Sequence, residues 1–482
     1  MGEAGTCPAC REARLPGRAS PLCAACTHAA RQTVPRPLWM FDSPLLRSAL
    51  AQVNLPAVPA IIRAASGLSQ SDLAAIVGWS RSALGLYEHG QRGAVFDIRL
   101  VLQFADAVDM PREALLPLVL GDDGTGLAAC SPADELGADV DRRSFGGLTA
   151  GVALAAMLPG TTVPSRVTAS HIKYLQACVD SLYSRDRAIG GAALLRSALR
   201  PWQRARRMLN ESSYSETIGR QLLVLNGSLA DLSGWLAFDA ANVPLAAQLY
   251  SEALKAATSA DDPVLAAWVL AHQSGLSSYQ ASAGKSGSVT SRSTDYAREG
   301  LLLADRAAQE ARYAPMPRLH TLIALRHAYA AALLGNTAAF GAAITRSRRE
   351  LDRGRGIDEP AWVSEVDERN IIEEQARGAM NLGEPAHAEK LYRDLLDCAL
   401  APRARAFLGA RLAGSMLGQG ARREAVTAGG IVLTAIEGGV SSIRTLKELR
   451  AVRAEARRIG ADEFCVRFDA AERALNGFHP TL

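Results

Sequence analysis

Four cysteines crowd into the first 26 residues, at Cys7, Cys10, Cys23 and Cys26, spaced C-x2-C-x12-C-x2-C with Pro8 inside the first pair and Pro21 just before the second. Two CxxC knuckles at this distance can converge on one metal ion, and four thiolates at ~2.3 Å make a closed tetrahedral zinc site with no position left for water. The spacing therefore predicts one structural Zn2+ in a small segment over residues 1–40, a segment too short to bury a core and folded chiefly by its metal. Two disulfides are the competing reading and would need an oxidising compartment, while a redox CxxC would need a thioredoxin-like βαβ setting that this sequence lacks. Arg11, Arg14, Arg18 and Arg31 surround the knuckles. The segment is thus either a basic surface for DNA phosphates or RNA polymerase, or a purely structural cap.

A second stretch, GLSQSDLAAIVGWSRSALGLYEHGQR from Gly67, carries a different chemistry. Ser69 can accept from the Asp72 amide while the Asp72 carboxylate favours the positive helix N-terminus, a capping box with Asp in place of Glu. Apolar residues then fall at Leu73, Ala74, Ile76 and Val77; Gly78 permits a positive φ; Ser80 can cap again; and a second helix carries Leu84, Leu86 and Tyr87. Two short helices crossing closely at the small Ala74 and joined by a glycine turn have the steric logic of a helix-turn-helix.

These residues resemble the phage-repressor-like (Cro/C1, or xenobiotic-response-element) DNA-binding domains. Gln70, Leu73, Ala74, Gly78, Ser80, Leu84, Tyr87, Glu88 and Gly90 stand as in that family, and the flanking stretches extend the resemblance over residues 55–120. The resemblance implies a five-helix domain whose second motif helix enters the major groove of double-stranded DNA, bound by a homodimer at a palindromic operator. It implies Gln70 as a phosphate contact, Arg81 and Ser82 as the leading base readers, and Leu86 as a thymine-methyl contact, with Ser80 and His89 completing the DNA-binding set. Arg81 suits guanine through two hydrogen bonds. Gly85 either lets the backbone approach DNA or weakens its helix. From Met1 to Arg63 there are seven arginines against three acids, consistent with a basic approach face.

The elements that must position this stretch follow from composition. The chain has 482 residues, too many for one core, with 48% hydrophobic but only 5% aromatic residues. Ala, Leu and Arg dominate and strand formers are sparse, which predicts an all-α protein. The net charge of +4 is small, so contact with nucleic acid must come from a local patch. No stretch approaches the ~18 uninterrupted apolar residues of a membrane span, and the expectation is a reduced, cytoplasmic protein. Asp141 to Gly160, DRRSFGGLTAGVALAAMLPG, resembles a twin-arginine export signal but sits far from the N-terminus, so it reads as a short apolar helix packing on its neighbour. Gly121 to Val140 is rich in Gly, Asp and Ala and reads as linker.

From residue 170 onward helix follows helix. A turn residue, a small residue four positions on and a bulky one four beyond that recur at Asn242, Ala246 and Tyr250 and at Glu384, Ala388 and Tyr392, and more loosely at Asn336, Phe340 and Ile344 and at Ala421 and Ala425. This resembles degenerate tetratricopeptide repeats, with Gly234 at the close-packing glycine and Gly429 standing where an aromatic is expected. Proteins joining the two modules include peptide-sensing regulators of Gram-positive bacteria and the long actinobacterial regulators of development and antibiotic production; the Arg- and Ala-rich composition favours the second.

Helical spacing puts Trp268, His272 and Tyr279 on one face, and His320 and His327 on another, as candidate contacts for a peptide, small-molecule or protein ligand; each is equally a core residue of a helical repeat. Ala281 to Ser293 reads as a loop, either a lid or a tolerated insertion. No phosphate-cradling glycine loop, nucleophile elbow or H-E-x-x-H pair is present, so the expectation is a regulator rather than an enzyme. The expected plan is a zinc-ribbon-like segment over 1–40, a helix-turn-helix domain over 55–120, a linker over 121–169 and a repeat domain over 170–482. The other reading is an interaction scaffold whose helix-turn-helix only packs.

Overall fold

A computed structural model of the chain describes residues 41, 43–90, 98–110, 112–115, 117–118, 163–283, 291–356, 359–360 and 362–476. Among these residues the protein is all α-helix; the only pairing of extended backbone is an isolated bridge between Arg166 and Ser213. The cysteine cluster, the twin-arginine-like stretch and residues 121–162 of the expected linker lie outside the described residues. The chain divides into two compact units, one of residues 1–181 with 203–219 and one of 182–202 with 220–482.

The first unit begins with α1 (Pro44–Ala51), α2 (Ala57–Ser66), α3 (Gln70–Val77), α4 (Arg81–Glu88) and α5 (Ile98–Ala107). Gly67 and Gly78 end α2 and α3 at φ +71° and +76°, a left-handed conformation that a side chain would resist. Leu46, Leu50, Ile61, Ile62, Leu73 and Leu84 are fully buried between these helices. Two longer helices join the unit: α6 (Ala169–Ala188) up to Ser181, and α7 (Gly191–Glu211) from Gln203. The buried Tyr174 hydroxyl on α6 donates to the Val108 carbonyl, and Arg204 Nη1 on α7 donates to the Asp106 carbonyl at 2.6 Å, so both helices grip the C-terminal end of α5.

The second unit continues with α8 (Glu216–Asp239, in this unit from Arg220), α9 (Val243–Ser259), α10 (Pro263–Ala283), α11 (Ser291–Glu310), α12 (Pro317–Leu333), α13 (Thr337–Asp352) and α14 (Glu368–Asn381). It closes with α15 (Pro385–Leu396), α16 (Pro402–Gly418), α17 (Arg422–Glu437), α18 (Ile443–Glu448), α19 (Arg450–Arg458) and α20 (Asp462–Asn476). Consecutive helices pack in hairpins, and α10, α12 and α14 also pack side by side, leaving α11 and α13 in a second row. This is the layering of a solenoid.

The repeat pattern corresponds to specific contacts. Asn242 caps α9, accepting from the Leu245 amide at 3.2 Å, and Ala246, Tyr250 and Ala253 behind it are fully buried. A Cβ on Gly234 would stand 2.8 Å from the Tyr250 ring, so the glycine makes room for that aromatic. Gly429 does the converse. A Cβ there would lie 2.9 Å from the Phe464 ring, which reaches in from α20 and supplies the aromatic that α17 lacks. Of the loop expected over residues 281–293, both ends are helical, in α10 and α11, and residues 284–290 lie outside the described residues.

Candidate nucleic-acid interface

The helix-turn-helix is built from its caps inward. Ser69 Oγ accepts from the Asp72 amide at 3.1 Å, and the Asp72 carboxylate accepts from the Ser69 amide at 3.2 Å, completing the capping box at the start of α3. Ser80 caps α4, its hydroxyl oxygen accepting from the Ala83 amide at 3.1 Å. Behind α4, Trp79 packs on Tyr87 and Phe104 with ring centroids 5.3 and 6.3 Å apart, and burial pushes the Tyr87 hydroxyl up to about 12.

A buried ion pair locks α4 to α2. Arg63 Nε and Nη2 donate to the two Glu88 carboxylate oxygens at 2.8 and 3.2 Å, and both residues are almost wholly removed from solvent. The pairing is bidentate, so it fixes orientation as well as distance. Gln70 Nε2 donates to Glu88 Oε2 at 2.9 Å, tying the first residue of α3 to the last of α4. Gln70 passes close to Gly85 on the way, since a Cβ there would sit 3.3 Å from Gln70 Nε2. One amide hydrogen of Gln70 is therefore committed to Glu88, and the other is left over.

On the outer side of α4, Arg81, Ser82 and His89 are exposed, and Leu86 keeps 46% of its surface in solvent. His89 Nδ1 lies 2.6 Å from the Gly85 carbonyl, holding the ring at the helix end. Arg81 makes no side-chain hydrogen bond or ion pair among the described residues, so its guanidinium is available. A rigid helix thus presents a free guanidinium, a hydroxyl and an aliphatic side chain on one face, which are the donor and apolar groups that read base edges.

The first turn of α6 lies against the first turn of α3. Ser170 Oγ donates to Asp72 Oδ1 at 3.0 Å, and Lys173 Nζ donates to both Asp72 oxygens at 3.2 and 3.3 Å. These bonds together with Ser69 hold the Asp72 carboxyl below its usual range against the opposing effect of desolvation. Nothing in the helix-turn-helix residues themselves signals this partner, which joins from about a hundred positions downstream.

Of the candidate ligand contacts in the second unit, three share one aromatic layer. Trp268 Nε1 and His272 Nδ1 both meet the buried Asp231 carboxylate, at 2.9 and 2.8 Å, and His272 stacks on Trp235 at 5.9 Å. Tyr279 meets Phe238 edge-on at 4.9 Å, and Phe238 in turn meets Trp235 at 5.8 Å. His320 and His327 stand apart, with ring nitrogens 3.0 Å from the Ala314 carbonyl and 2.8 Å from Asp305 respectively. Sequence reasoning missed the charges beneath this layer. Asp239 is fully buried and accepts from the Gly191 amide at 2.8 Å and the Ser442 hydroxyl at 2.9 Å, with Arg444 at 3.3 Å and Arg403 at 3.6 Å. The available signal was two acids eight residues apart, Asp231 and Asp239, in the largely apolar last eleven residues of α8.

Among the described residues no group of three His, Cys, Asp or Glu is placed to hold a metal ion, and no helix is long and apolar enough to cross a membrane. The four N-terminal cysteines lie outside the described residues. No curated protein matches the chain. Residues 60–118 match the family of helix-turn-helix domains, so the chain carries the element typical of DNA-binding regulators, with α3, α4, α5 and all but the first three residues of α2 inside the match.

Proposed function

We propose that this protein is a sequence-specific transcription regulator that binds double-stranded DNA as a homodimer at a palindromic operator. The observation that carries the reading is α4, whose exposed Arg81, Ser82 and Leu86 stand on a helix pinned from behind by the Arg63–Glu88 pair. In this reading the tetratricopeptide-like second unit supplies the dimer contact and an input site for a peptide, small molecule or protein, and the chain works in the cytoplasm without catalysis. Its layered helices and partly exposed aromatics support that division of labour.

Arg81→Ala is expected to cost ~1 to 3 kcal/mol at the operator and to relax base preference there, whereas Gln70→Ala weakens binding to all sequences alike. Binding-site selection from random DNA followed by competition assays measures both. Equal loss on operator and random DNA for Arg81→Ala would reassign it to a phosphate.

Cys7, Cys10, Cys23 and Cys26 are proposed to bind one Zn2+ per chain. Elemental analysis of protein purified without chelator is expected to find about one equivalent, falling sharply in Cys7→Ser. Undiminished zinc in that variant would remove the assignment.

A further inference from the structure

We propose that the second unit holds an oxyanion site, for the carboxylate or phosphate group of a small organic molecule, centred on Arg326 and flanked by Arg377 and Arg411. The proposal gives a chemical class to the input site of the regulator reading and rests on that reading only for its biological meaning.

Four alternate members of the helix succession, α12, α14, α16 and α18, each contribute one arginine: Arg326, Arg377, Arg411 and Arg444. Three of them lie over aromatic rings. Arg377 stands 4.4 Å from the Tyr329 ring centroid, Arg411 4.5 Å from that of Phe407, and Arg444 4.2 Å from the same Phe407 centroid. Stacking of this kind holds a guanidinium by its faces and leaves its edge, where the N–H donors are, for an acceptor.

The acids that answer these arginines are unevenly shared. Asp239 serves Arg444 at 3.3 Å, and Glu374 and Glu373 serve Arg377 at 3.0 and 2.8 Å. Glu448 approaches Arg411 only to 3.7 Å. Among the described residues Arg326 has no carboxylate within ion-pair distance. Its Nε donates to the Ala271 carbonyl at 3.0 Å, and its guanidinium lies against α10 where Gly275 leaves room: a Cβ there would meet Arg326 Nε at 3.3 Å. The terminal nitrogens, which carry most of the donors, make no further bond among the described residues.

Two more donors in the row are idle. Arg377 Nε and Arg411 Nε are buried with no hydrogen-bond partner. Burial and the neighbouring charge of Arg377 depress the Arg326 guanidinium, which is the response of a cation short of negative charge. Burial pushes the Glu374 carboxyl up, while against burial Arg377 and its neighbouring arginines hold that of Glu373 below its usual range. A bound oxyanion would meet the Arg326 fork through two parallel N–H bonds and relieve its repulsion with Arg377. The side chains of Arg377 and Arg411 keep 14% and 11% of their surface, so the row is nearly closed and favours a small ligand over a chain segment.

The test is calorimetric titration of the full-length protein with sodium phosphate and with sodium benzoate at constant ionic strength, repeated on Arg326→Gln and Arg326→Lys. The expected result is saturable binding of at least one probe at millimolar or lower concentration, weakened at least tenfold in Arg326→Gln and partly kept in Arg326→Lys. Circular dichroism of each variant shows whether the helices are retained, and Arg318→Gln, an arginine already paired with Glu359 and the Ser364 carbonyl, serves as the control that should leave binding unchanged. No saturable binding of either probe, or equal binding by Arg326→Gln, overturns the site. Binding that persists while operator affinity is indifferent to the probe would leave the site standing and refute its role as the regulator's input.

Discussion

Asp239→Ala should be among the most destabilising single substitutions in the second unit, costing ~3 to 5 kcal/mol, because it strips the shared acid from two arginines that cannot leave. Arg444 is buried and lies between the Trp235, Phe238 and Phe407 rings, at 5.0, 4.8 and 4.2 Å, so its guanidinium has no route to water. Arg403 keeps a second partner in Asp186 at 3.0 Å, which limits its share of the loss. Two neutral donors also lose their acceptor: the Gly191 amide and the Ser442 hydroxyl, the latter capping α18 through the Thr445 amide at 3.1 Å. Asp239→Asn separates the contributions. The amide oxygen can still accept from Gly191, but the charge is gone, so the asparagine variant should recover only the neutral part of the loss. Urea unfolding of the full chain followed by tryptophan fluorescence measures it, since Trp235 lies against Arg444. A loss below about 1 kcal/mol for Asp239→Ala would mean that both arginines find other acceptors.

How much of this was legible beforehand varies with the range of the interaction. The helix-turn-helix could be read because its determinants are local: Ser69 and Asp72 cap within one turn, Gly78 supplies a positive φ, and Leu73 and Leu84 mark the buried faces. The Arg63–Glu88 pair was harder, since an arginine in an apolar helix reads as solvent-facing until the partner 25 residues on is seen to bury it. Gly85 was undecidable from its own neighbours because the side chain that passes it comes from another helix. The same holds for Gly429, where the aromatic absent from the repeat arrives from α20.

In the second unit the period of the helices was plain but their charged interior was not. Trp268 and His272 were picked out by spacing alone, and spacing does not reveal that both are held by the buried Asp231 carboxylate. Arg326, Arg377, Arg411 and Arg444 are unremarkable in a sequence with this many arginines. They come together only because α12 packs beside α14 and α16 beside α18, relations set by packing over more than a hundred residues.

Acidification should loosen the first unit before ordinary carboxylates protonate, through His171 on α6. The ring is almost wholly buried, and its Nδ1 lies 2.9 Å from the Thr168 hydroxyl and accepts from the Thr168 amide at 3.2 Å, a bond that protonation at that nitrogen would break. Burial, with the Arg204 charge beside it, pulls the His171 pKa down to about 4. The unfolded chain binds this proton near pH 6.5 and the folded chain only near 4, so the stability is complete above pH 6.5 and is lost as pH falls between those values. The loss amounts to about 2 kcal/mol at pH 5 and about 3 kcal/mol below pH 4. The consequence is local, because Ser170, the residue before His171, bonds Asp72 at the start of α3. Amide hydrogen exchange of α6 and α3, compared at pH 7 and pH 5 after correction for intrinsic rates, should show protection falling in both helices in the native protein. In His171→Gln, whose side chain does not titrate, protection should start lower and stay level between the two pH values. If the native protein and His171→Gln lose protection in parallel on acidification, the acid sensitivity of this unit comes from its carboxylates and not from the buried imidazole.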